Sequence, residues 1–239
     1  MKKIKIKIKI FADGADFSGI LNYNKKKFIK GLTTNPSLMK KSGVKDYKVF
    51  AKKVLKIVNK KPISFEVFSD EFEEMYNQAK RIASWGKNVY VKIPVTNTKG
   101  KGSYSLIKKL SKEKIKLNVT AIFTEEQIKN VIKSLNPNVK SIVSIFAGRI
   151  ADTGKNPETL IIKTLKILKK KNNFNCEVLW ASTRELYNIV SASRIGCHII
   201  TVPNNILEKL NLFNKNLKIY SLDTVKEFYK DAKIANFKV

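Results

Sequence analysis

The stretch Val89-Tyr90-Val91-Lys92-Ile93-Pro94 decides how the rest of the chain is interpreted. Side chains alternate between the two faces of an extended segment, so Val89 and Val91 share one face while Tyr90 and Lys92 share the other. A buried lysine must form an ion pair or lose its proton, because burial disfavours the charged amine. The stretch therefore predicts either a structural ion pair at Lys92 or a nucleophilic amine that forms a Schiff base with a carbonyl compound.

Strand-like and helix-like patterns alternate on both sides of this stretch. The predicted strands are 4–13, the residues leading into 31–36, 63–67, 88–93, 115–118, 141–146, 177–180 and 197–202. A last amphipathic helix is predicted from Asp223, with Val225 and Phe228 at helical spacing. No linker rich in Pro, Gly or Ser interrupts the alternation. The pattern predicts one domain over residues 1–239, a single (β/α)8 TIM barrel with a C-terminal helix.

The composition is strongly basic. The 239 residues include 48 Lys and Arg against 19 Asp and Glu, a formal net charge of +29. Such a charge raises nucleic acid or an anionic membrane as a partner. The lysines are spread along the helices, however, and no nucleic-acid-binding motif is present. The sequence therefore favours a solvated basic surface that steers phosphorylated substrates, with neither a specific nucleic acid nor a membrane as partner.

The cysteines and the N-terminal segment bear on the cellular location. Cys176 and Cys197 are far apart and lack C-x-x-C spacing, which favours buried thiols in a reducing cytoplasm. The N-terminal apolar residues alternate, which predicts a strand and not a secretory signal. No stretch approaches the roughly 20 apolar residues of a membrane span. His198, the single histidine, is expected to be structural.

Polar side chains occur at the end of nearly every predicted strand, where such barrels build their active sites. Each has a structural explanation when taken alone, such as a helix cap at Asp13 or a turn at Asn35-Pro36. Together they predict a reactive site. The residues are Asp13, Thr33, Asn35, Glu66, Lys92, Asn118, Thr120, Ser144, Ser182 and Arg184.

The chemistry follows from these residue types. A Schiff base at Lys92 would make an electron sink of a ketose carbonyl, and Asp13 or Glu66 could remove a hydroxyl proton so that the adjacent carbon-carbon bond breaks. Arg149 and Arg184, after the sixth and seventh strands, are suited to bind phosphate in a bidentate manner.

The chain resembles the transaldolases, and its length is similar to that of the short, single-barrel members. The motifs are FADGAD, GLTTNPSL, SFEVFSD, VKIPVT, LNVTAIFT, SIFAGRI and WASTRE, between Phe11 and about Leu207. The resemblance implies transfer of a dihydroxyacetone unit from fructose 6-phosphate to erythrose 4-phosphate, without metal or organic cofactor. It also implies a homo-oligomer.

The resemblance further implies the roles of the site residues. Lys92 would be the nucleophile, Asp13 the acid/base at the C4 hydroxyl, and Glu66 with Thr120 would hold a catalytic water. Substrate contacts are implied for Thr33, Asn35, Asn118, Ser144, Arg149, Ser182 and Arg184.

Three alternatives remain open at this point. A sister group, the fructose 6-phosphate aldolases, typically carries glutamine and tyrosine where this chain has Glu66 and Phe146, so both residues favour transaldolase. The departures Gly14, Ile145 and Trp180 leave room for a different sugar phosphate. A basic nucleic-acid-binding protein on a barrel scaffold is the alternative that is not an enzyme.

Overall fold

The computed structural model describes residues 7–238. Eight parallel strands close into a barrel in sequence order. The strands are β1 (Lys9–Asp13), β2 (Ile29–Thr33), β3 (Ile63–Glu66), β4 (Val89–Pro94), β5 (Leu117–Ile122), β6 (Ser141–Ile145), β7 (Cys176–Trp180) and β8 (Ile199–Pro203). The predicted (β/α)8 TIM barrel with a C-terminal helix is therefore confirmed.

Helices follow the strands, and those before the C-terminal helix cover the outside of the barrel. They are α1 (Phe17–Lys25), α2 (Pro36–Lys41), α3 (Tyr47–Leu55), α4 (Phe72–Ala83), α5 (Tyr104–Lys112), α6 (Glu125–Ser134), α7 (Ala147–Ala151), α8 (Glu158–Lys170), α9 (Tyr187–Arg194), α10 (Asn204–Leu207) and α11 (Leu217–Ile234), with a 3-10 helix at Glu208–Leu212. Local signals explain several helix starts. Thr124 forms a capping box with Gln127 at the start of α6.

The strand alternation separates two apolar layers. Val89, Val91 and Ile93 of β4 belong to the main core between the sheet and the helices. Tyr90 faces the barrel axis, within a smaller inner cluster that also contains Phe11 and other side chains. This inner cluster, which we call the middle layer, consists of Phe11, Tyr90, Ile142, Leu179, Ala181 and Ile199. Lys92 faces the same way as Tyr90, as the alternation predicts.

Some boundaries differ from the prediction. Residues 4–6 of the predicted first strand lie outside the described residues, and β1 begins at Lys9. β5 covers Leu117–Ile122 where 115–118 was predicted, because Val119 and Thr120 continue the pairing with β4, and the irregularity at Ala121, with a positive φ of 58°, does not end the strand. α11 begins at Leu217, six residues before Asp223, because the Asn216 side chain accepts hydrogen bonds from the Lys218 and Ile219 amides.

The remaining structural expectations can be compared with the described residues. Cys176 and Cys197 are buried free thiols, as predicted. His198 lies just before β8, and its Nδ1 accepts a hydrogen bond of 2.9 Å from the Val178 amide, which fits a structural role. Pro157 lies at the N-cap of α8 and not at its first position, and Asn156 accepts a hydrogen bond from the Glu158 amide. No helix within residues 7–238 is long and apolar enough to cross a bilayer.

Candidate active site

A polar pocket of about 240 Å³ opens at the carboxyl ends of the strands. Eleven of the twelve predicted site residues line this pocket. The twelfth, Glu66, is not part of the lining but forms an ion pair with Lys92, which is. The eleven are Asp13, Thr33, Asn35, Lys92, Asn118, Thr120, Ser144, Phe146, Arg149, Ser182 and Arg184. The convergence follows from the parallel strands, since their carboxyl ends meet at one end of the barrel.

Lys92 lies at the floor of this pocket with its charge paired. Its side chain is 9% exposed, and its Nζ lies 3.0 Å from Glu66 Oε2. The same Nζ donates a hydrogen bond of 2.9 Å to the Thr34 carbonyl oxygen. The structural ion pair and the nucleophile were alternative interpretations of the sequence, and the contacts allow both, because Glu66 is placed to accept a proton from the amine.

Asp13 ends the neighbouring β1 and faces the same pocket. Burial raises the pKa of Asp13, while the charge of Lys92 and a hydrogen bond from Thr33 oppose the rise. Thr33 Oγ1 donates that hydrogen bond to Asp13 Oδ1 at 2.8 Å. Because the Thr33 proton is used in this way, the hydroxyl of Thr201 on β8 donates to Thr33. A carboxyl group with a raised pKa in a cleft suits proton transfer near neutral pH.

Asn118 is fixed by hydrogen bonds on both sides. Its Nδ2 donates to Ser64 Oγ at 3.0 Å, and its Oδ1 accepts from Ser144 Oγ at 2.6 Å. Asn118 is fully buried, so both bonds are shielded from water. The neighbouring Thr120 hydroxyl, in contrast, is buried without a hydrogen-bond partner among the described residues. An unpartnered buried hydroxyl in a polar pocket is available to a ligand or a water.

The seventh strand leads into a tight loop at the pocket rim. Ser182 adopts a left-handed backbone with φ of 64°. Its carbonyl group lies against Gly148 of α7, where a Cβ atom would overlap the oxygen and lie 2.7 Å from the carbon. Glycine is therefore required at position 148 for this close approach.

The two arginines of the site differ in their partners. Arg184 Nε lies 3.2 Å from both carboxylate oxygens of Asp152, and the pairing raises the pKa of Arg184 and lowers the pKa of Asp152. The Arg149 guanidinium lies 5.6 Å from the centre of the Phe146 ring and is exposed. The guanidinium of Arg149 is therefore the one at the rim without a carboxylate partner among the described residues. A ligand that binds Arg184 must compete with Asp152 for its guanidinium.

Asn35 has a structural task beside its place in the pocket. Its Oδ1 accepts a hydrogen bond of 2.9 Å from the Leu38 amide and caps α2. The side-chain oxygen is thus occupied, which leaves the amide nitrogen for a ligand.

Sequence reasoning did not select several residues that the fold brings to the site. Thr201, Ser64, Asp152 and the Thr34 carbonyl group contact predicted residues. The signal for Thr201 and Ser64 was available, because each lies at an inward position of a strand. The contact of Asp152 with Arg184 depends on the tertiary packing of α7 and had no sequence signal.

The three departures from the family pattern are not part of the pocket lining. Ile145 and Trp180 are buried in the outer core, and Gly14 has Asn204 as its neighbour. Ile145 and Trp180 are chain neighbours of the lining residues Ser144, Phe146 and Ala181, but the strand alternation turns their own side chains toward the helices.

The fold and the pocket define a (β/α)8-barrel protein with a polar pocket at the carboxyl ends of its strands. Comparison with known proteins narrows this class. A family model described as transaldolase/fructose-6-phosphate aldolase matches residues 10–239. The chain belongs to this family.

Named relatives agree with the family. A "Probable transaldolase" of Streptococcus agalactiae serotype V is 34% identical over 203 residues, which cover 85% of this chain and 89% of the relative. A "Probable transaldolase" of Methanococcus maripaludis (strain C6) is 36% identical over 210 residues, covering 88% and 92%. These relatives indicate an enzyme of the transaldolase kind.

The solved structures support the fold. KGPDC from Streptococcus mutans superposes with a TM-score of 0.56 at 10% identity, covering 85% of this chain and 90% of the other. The same protein solved as a ligand complex gives a TM-score of 0.55 at 8% identity, covering 82% and 88%. At this identity the likeness concerns the barrel alone.

Proposed function

We propose that the protein is a transaldolase that moves a dihydroxyacetone unit from fructose 6-phosphate to erythrose 4-phosphate through a Schiff base at Lys92. The observation that supports this most directly is the buried Lys92 amine, 3.0 Å from Glu66 and within the electrostatic influence of Asp13. An amine between two carboxyl groups has both a proton acceptor and an acid/base partner within one pocket.

The proposed reaction uses these groups in order. The neutral amine of Lys92 attacks the C2 carbonyl of the ketose, and loss of water gives a protonated iminium. Asp13 then removes the proton of the C4 hydroxyl, the C3–C4 bond breaks, and its electron pair passes into the iminium to form an enamine. Glyceraldehyde 3-phosphate leaves. The enamine attacks the carbonyl carbon of the acceptor aldose, and hydrolysis of the new Schiff base releases the product.

The polar side chains that line the pocket would bind the catalytic water, the sugar hydroxyls and the phosphate group. Thr120 has a buried hydroxyl without a partner among the described residues, two strands along the barrel from Glu66, which suits a bound water for hydration and dehydration. Asn35, Asn118 and Ser144 would contact sugar hydroxyls. Arg149, Arg184 and the left-handed Ser182 segment would hold the phosphate group at the rim.

A fructose 6-phosphate aldolase is the second candidate, because the matched family contains both activities. Phe146 has no hydroxyl with which to protonate the enamine, and its ring contacts Phe123 at a centroid distance of 5.6 Å. The enamine would therefore persist until an acceptor aldehyde arrives, which favours transfer over release.

The activity test measures glyceraldehyde 3-phosphate release from fructose 6-phosphate with and without erythrose 4-phosphate. Release that depends on the acceptor is expected. Equal release without the acceptor would assign the protein to the aldolases, and no release in either reaction would contradict both activities on this donor.

The nucleophile is tested separately by borohydride trapping. Borohydride with fructose 6-phosphate should link the substrate to the peptide that contains Lys92, and the Lys92→Met variant should lose both the adduct and turnover. Lys116→Met is the matched control, since Lys116 precedes another barrel strand at the opposite end. Adduct formation in Lys92→Met would contradict the assignment.

We also propose that the protein functions in the cytoplasm as a homo-oligomer, in which α11 packs against a second copy. The 18-residue helix has no buried residue. Its large apolar side chains are exposed, including Leu217, Leu222, Val225 and Phe228. A helix that leaves this many large apolar side chains exposed is typical of an interface. The double variant Val225→Glu/Phe228→Glu should have a smaller mass by light scattering than the parent protein, and a monomeric parent would contradict this proposal.

A further inference from the structure

A second cavity lies at the opposite end of the barrel, at the amino ends of the strands. Its volume is about 1120 Å³. Seven lysines line this cavity, which we call the basal mouth: Lys9, Lys30, Lys60, Lys87, Lys116, Lys140 and Lys169. The sequence suggested that the lysines are spread along helices and not gathered. That interpretation is wrong for these seven, because the barrel brings strand starts together that are distant in sequence.

Three of these lysines point inward for the same reason as the active-site residues. Lys9 precedes the inward-facing Phe11 by two residues, and Lys140 precedes the inward-facing Ile142 by two. Lys116 likewise precedes Asn118, a residue of the active-site pocket, by two. Side chains at such spacing share one strand face, so these three lysines face the barrel axis.

The positive charge of the basal mouth is largely uncompensated. Glu177 is the one carboxylate among its described lining residues, and it pairs with Lys9 at 2.7 Å. The other six lysines form no ion pair within residues 7–238. Charges of one sign around a cavity focus the potential and attract an ion of the opposite sign.

Two neighbouring strands place like charges side by side. Leu117 of β5 pairs with Ser141 of β6, so Lys116 and Lys140, one residue earlier on each strand, are adjacent. Burial and then the charge of Lys140 lower the pKa of Lys116. The repulsion is a cost that an anion bound between the two amines would remove.

The basal mouth is separate from the candidate active site. The middle layer closes the barrel between the two ends, and its side chains are almost fully buried. Lys116 and Thr120 lie four residues apart on one strand, which corresponds to roughly 13 Å along the barrel. A ligand in one cavity therefore does not contact the other.

We propose that the basal mouth binds a small anion that carries several linked phosphate groups. Amines distributed around a cavity with a closed floor match several charges better than one. A nucleic acid fits less well, because single-strand binding uses aromatic platforms. The aromatic side chains of the floor, Phe11 and Tyr90, are 2% and 8% exposed, and Phe174 is the exposed aromatic residue of the lining.

The test uses inorganic tripolyphosphate as the probe, with calorimetry on the intact protein at about 150 mM salt, where screening weakens diffuse attraction. The double variant Lys116→Gln/Lys140→Gln removes two inward amines. The control Lys48→Gln/Lys52→Gln removes the same charge from the exposed face of α3, away from the basal mouth. We expect the first variant to bind at least about tenfold more weakly, since hydrogen bonds to charged groups are the stronger kind, and the control to bind like the parent.

The other outcomes overturn the proposal. Equal weakening in both variants would mean that net charge, and not the cavity, attracts the probe. Orthophosphate binding as tightly as tripolyphosphate would exclude a site for several phosphates. A single-stranded oligonucleotide that binds more tightly than tripolyphosphate, with the same dependence on Lys116 and Lys140, would make the mouth a nucleic-acid surface. The Lys116→Gln/Lys140→Gln variant should melt at or above the melting temperature of the parent because it removes repulsion, and a lower melting temperature would contradict the electrostatic argument.

Discussion

Replacing Gly148 with alanine should damage the end of the pocket where we propose that phosphate binds, without touching Lys92. A Cβ atom at position 148 would overlap the Ser182 carbonyl oxygen, lie 2.7 Å from its carbon and lie 3.2 Å from Arg184 Cγ. The oxygen belongs to the backbone and cannot rotate away. The segment around Ser182 must therefore move away from α7 by on the order of 1 Å, which in general costs up to about 100-fold in catalytic efficiency.

The Gly148→Ala variant should also be less stable than the parent. Overpacking typically costs about 1–3 kcal/mol, and each kcal/mol corresponds to roughly 2–4 °C in melting temperature for a chain of this size. We expect kcat/KM for fructose 6-phosphate to fall by about two orders of magnitude, with KM contributing because the phosphate contacts shift. Steady-state kinetics and calorimetric melting measure the two effects.

Gly154→Ala is the matched control. Gly154 has a positive φ of 76° but no heavy atom within 4 Å of the position of a Cβ. It should lose about 1 kcal/mol through backbone strain and keep its activity. If Gly148→Ala retains the kinetics of the parent, the close approach does not position the phosphate loop and this reasoning is refuted.

Three further predictions concern the floor of the pocket. Thr33→Val removes a hydrogen bond that lowers the pKa of Asp13, so the acidic limb of the kcat profile should move to higher pH, and an unchanged limb would argue against Asp13 as the base. The raised pKa means that folding favours protonated Asp13, so stability falls as pH rises through that pKa. At pH values above this pKa, Asp13→Asn should therefore have a higher melting temperature than the parent, and the difference should disappear below the ordinary carboxyl pKa. A difference in melting temperature that stays constant across a pH series would contradict this. Ser144→Ala leaves buried Asn118 Oδ1 without its donor and should cost about 1–3 kcal/mol in urea unfolding, whereas no change would mean that water replaces the hydroxyl.

The alternation of residues predicted much of the site. Lys92 was placed on the inward face of its strand because Val89, Val91 and Ile93 define the outward face, and the same two-residue period applies to Asp13 and Ser144. The barrel topology then determines that these side chains meet. Motif resemblance supplied their implied roles, which remain predictions.

Other features of the fold and the site depend on contacts between residues that are far apart in sequence, which no local sequence pattern predicts. The extension of β5 depends on the pairing of Val119 and Thr120 with β4, and the strand contains a left-handed Ala121, an alanine whose positive φ the sequence does not indicate. The ion pair of Arg184 requires Asp152 from a different strand-to-helix connection. The basal mouth escaped prediction because its lysines are separated by tens of residues and are gathered only when the sheet closes. The start of α11 was missed although Asn216 is a recognisable cap, since the apolar spacing after Asp223 gave a stronger signal.

The middle layer has a consequence for how this barrel can change over evolutionary time. Phe11, Tyr90 and their neighbours form an almost fully buried layer between the lysines at the strand starts and the groups around Lys92. Substitutions at the strand starts can therefore accumulate without disturbing the groups that surround Lys92, and the reverse also holds. The two ends of the barrel can therefore gain or lose binding sites independently, as long as the apolar middle layer between them is kept.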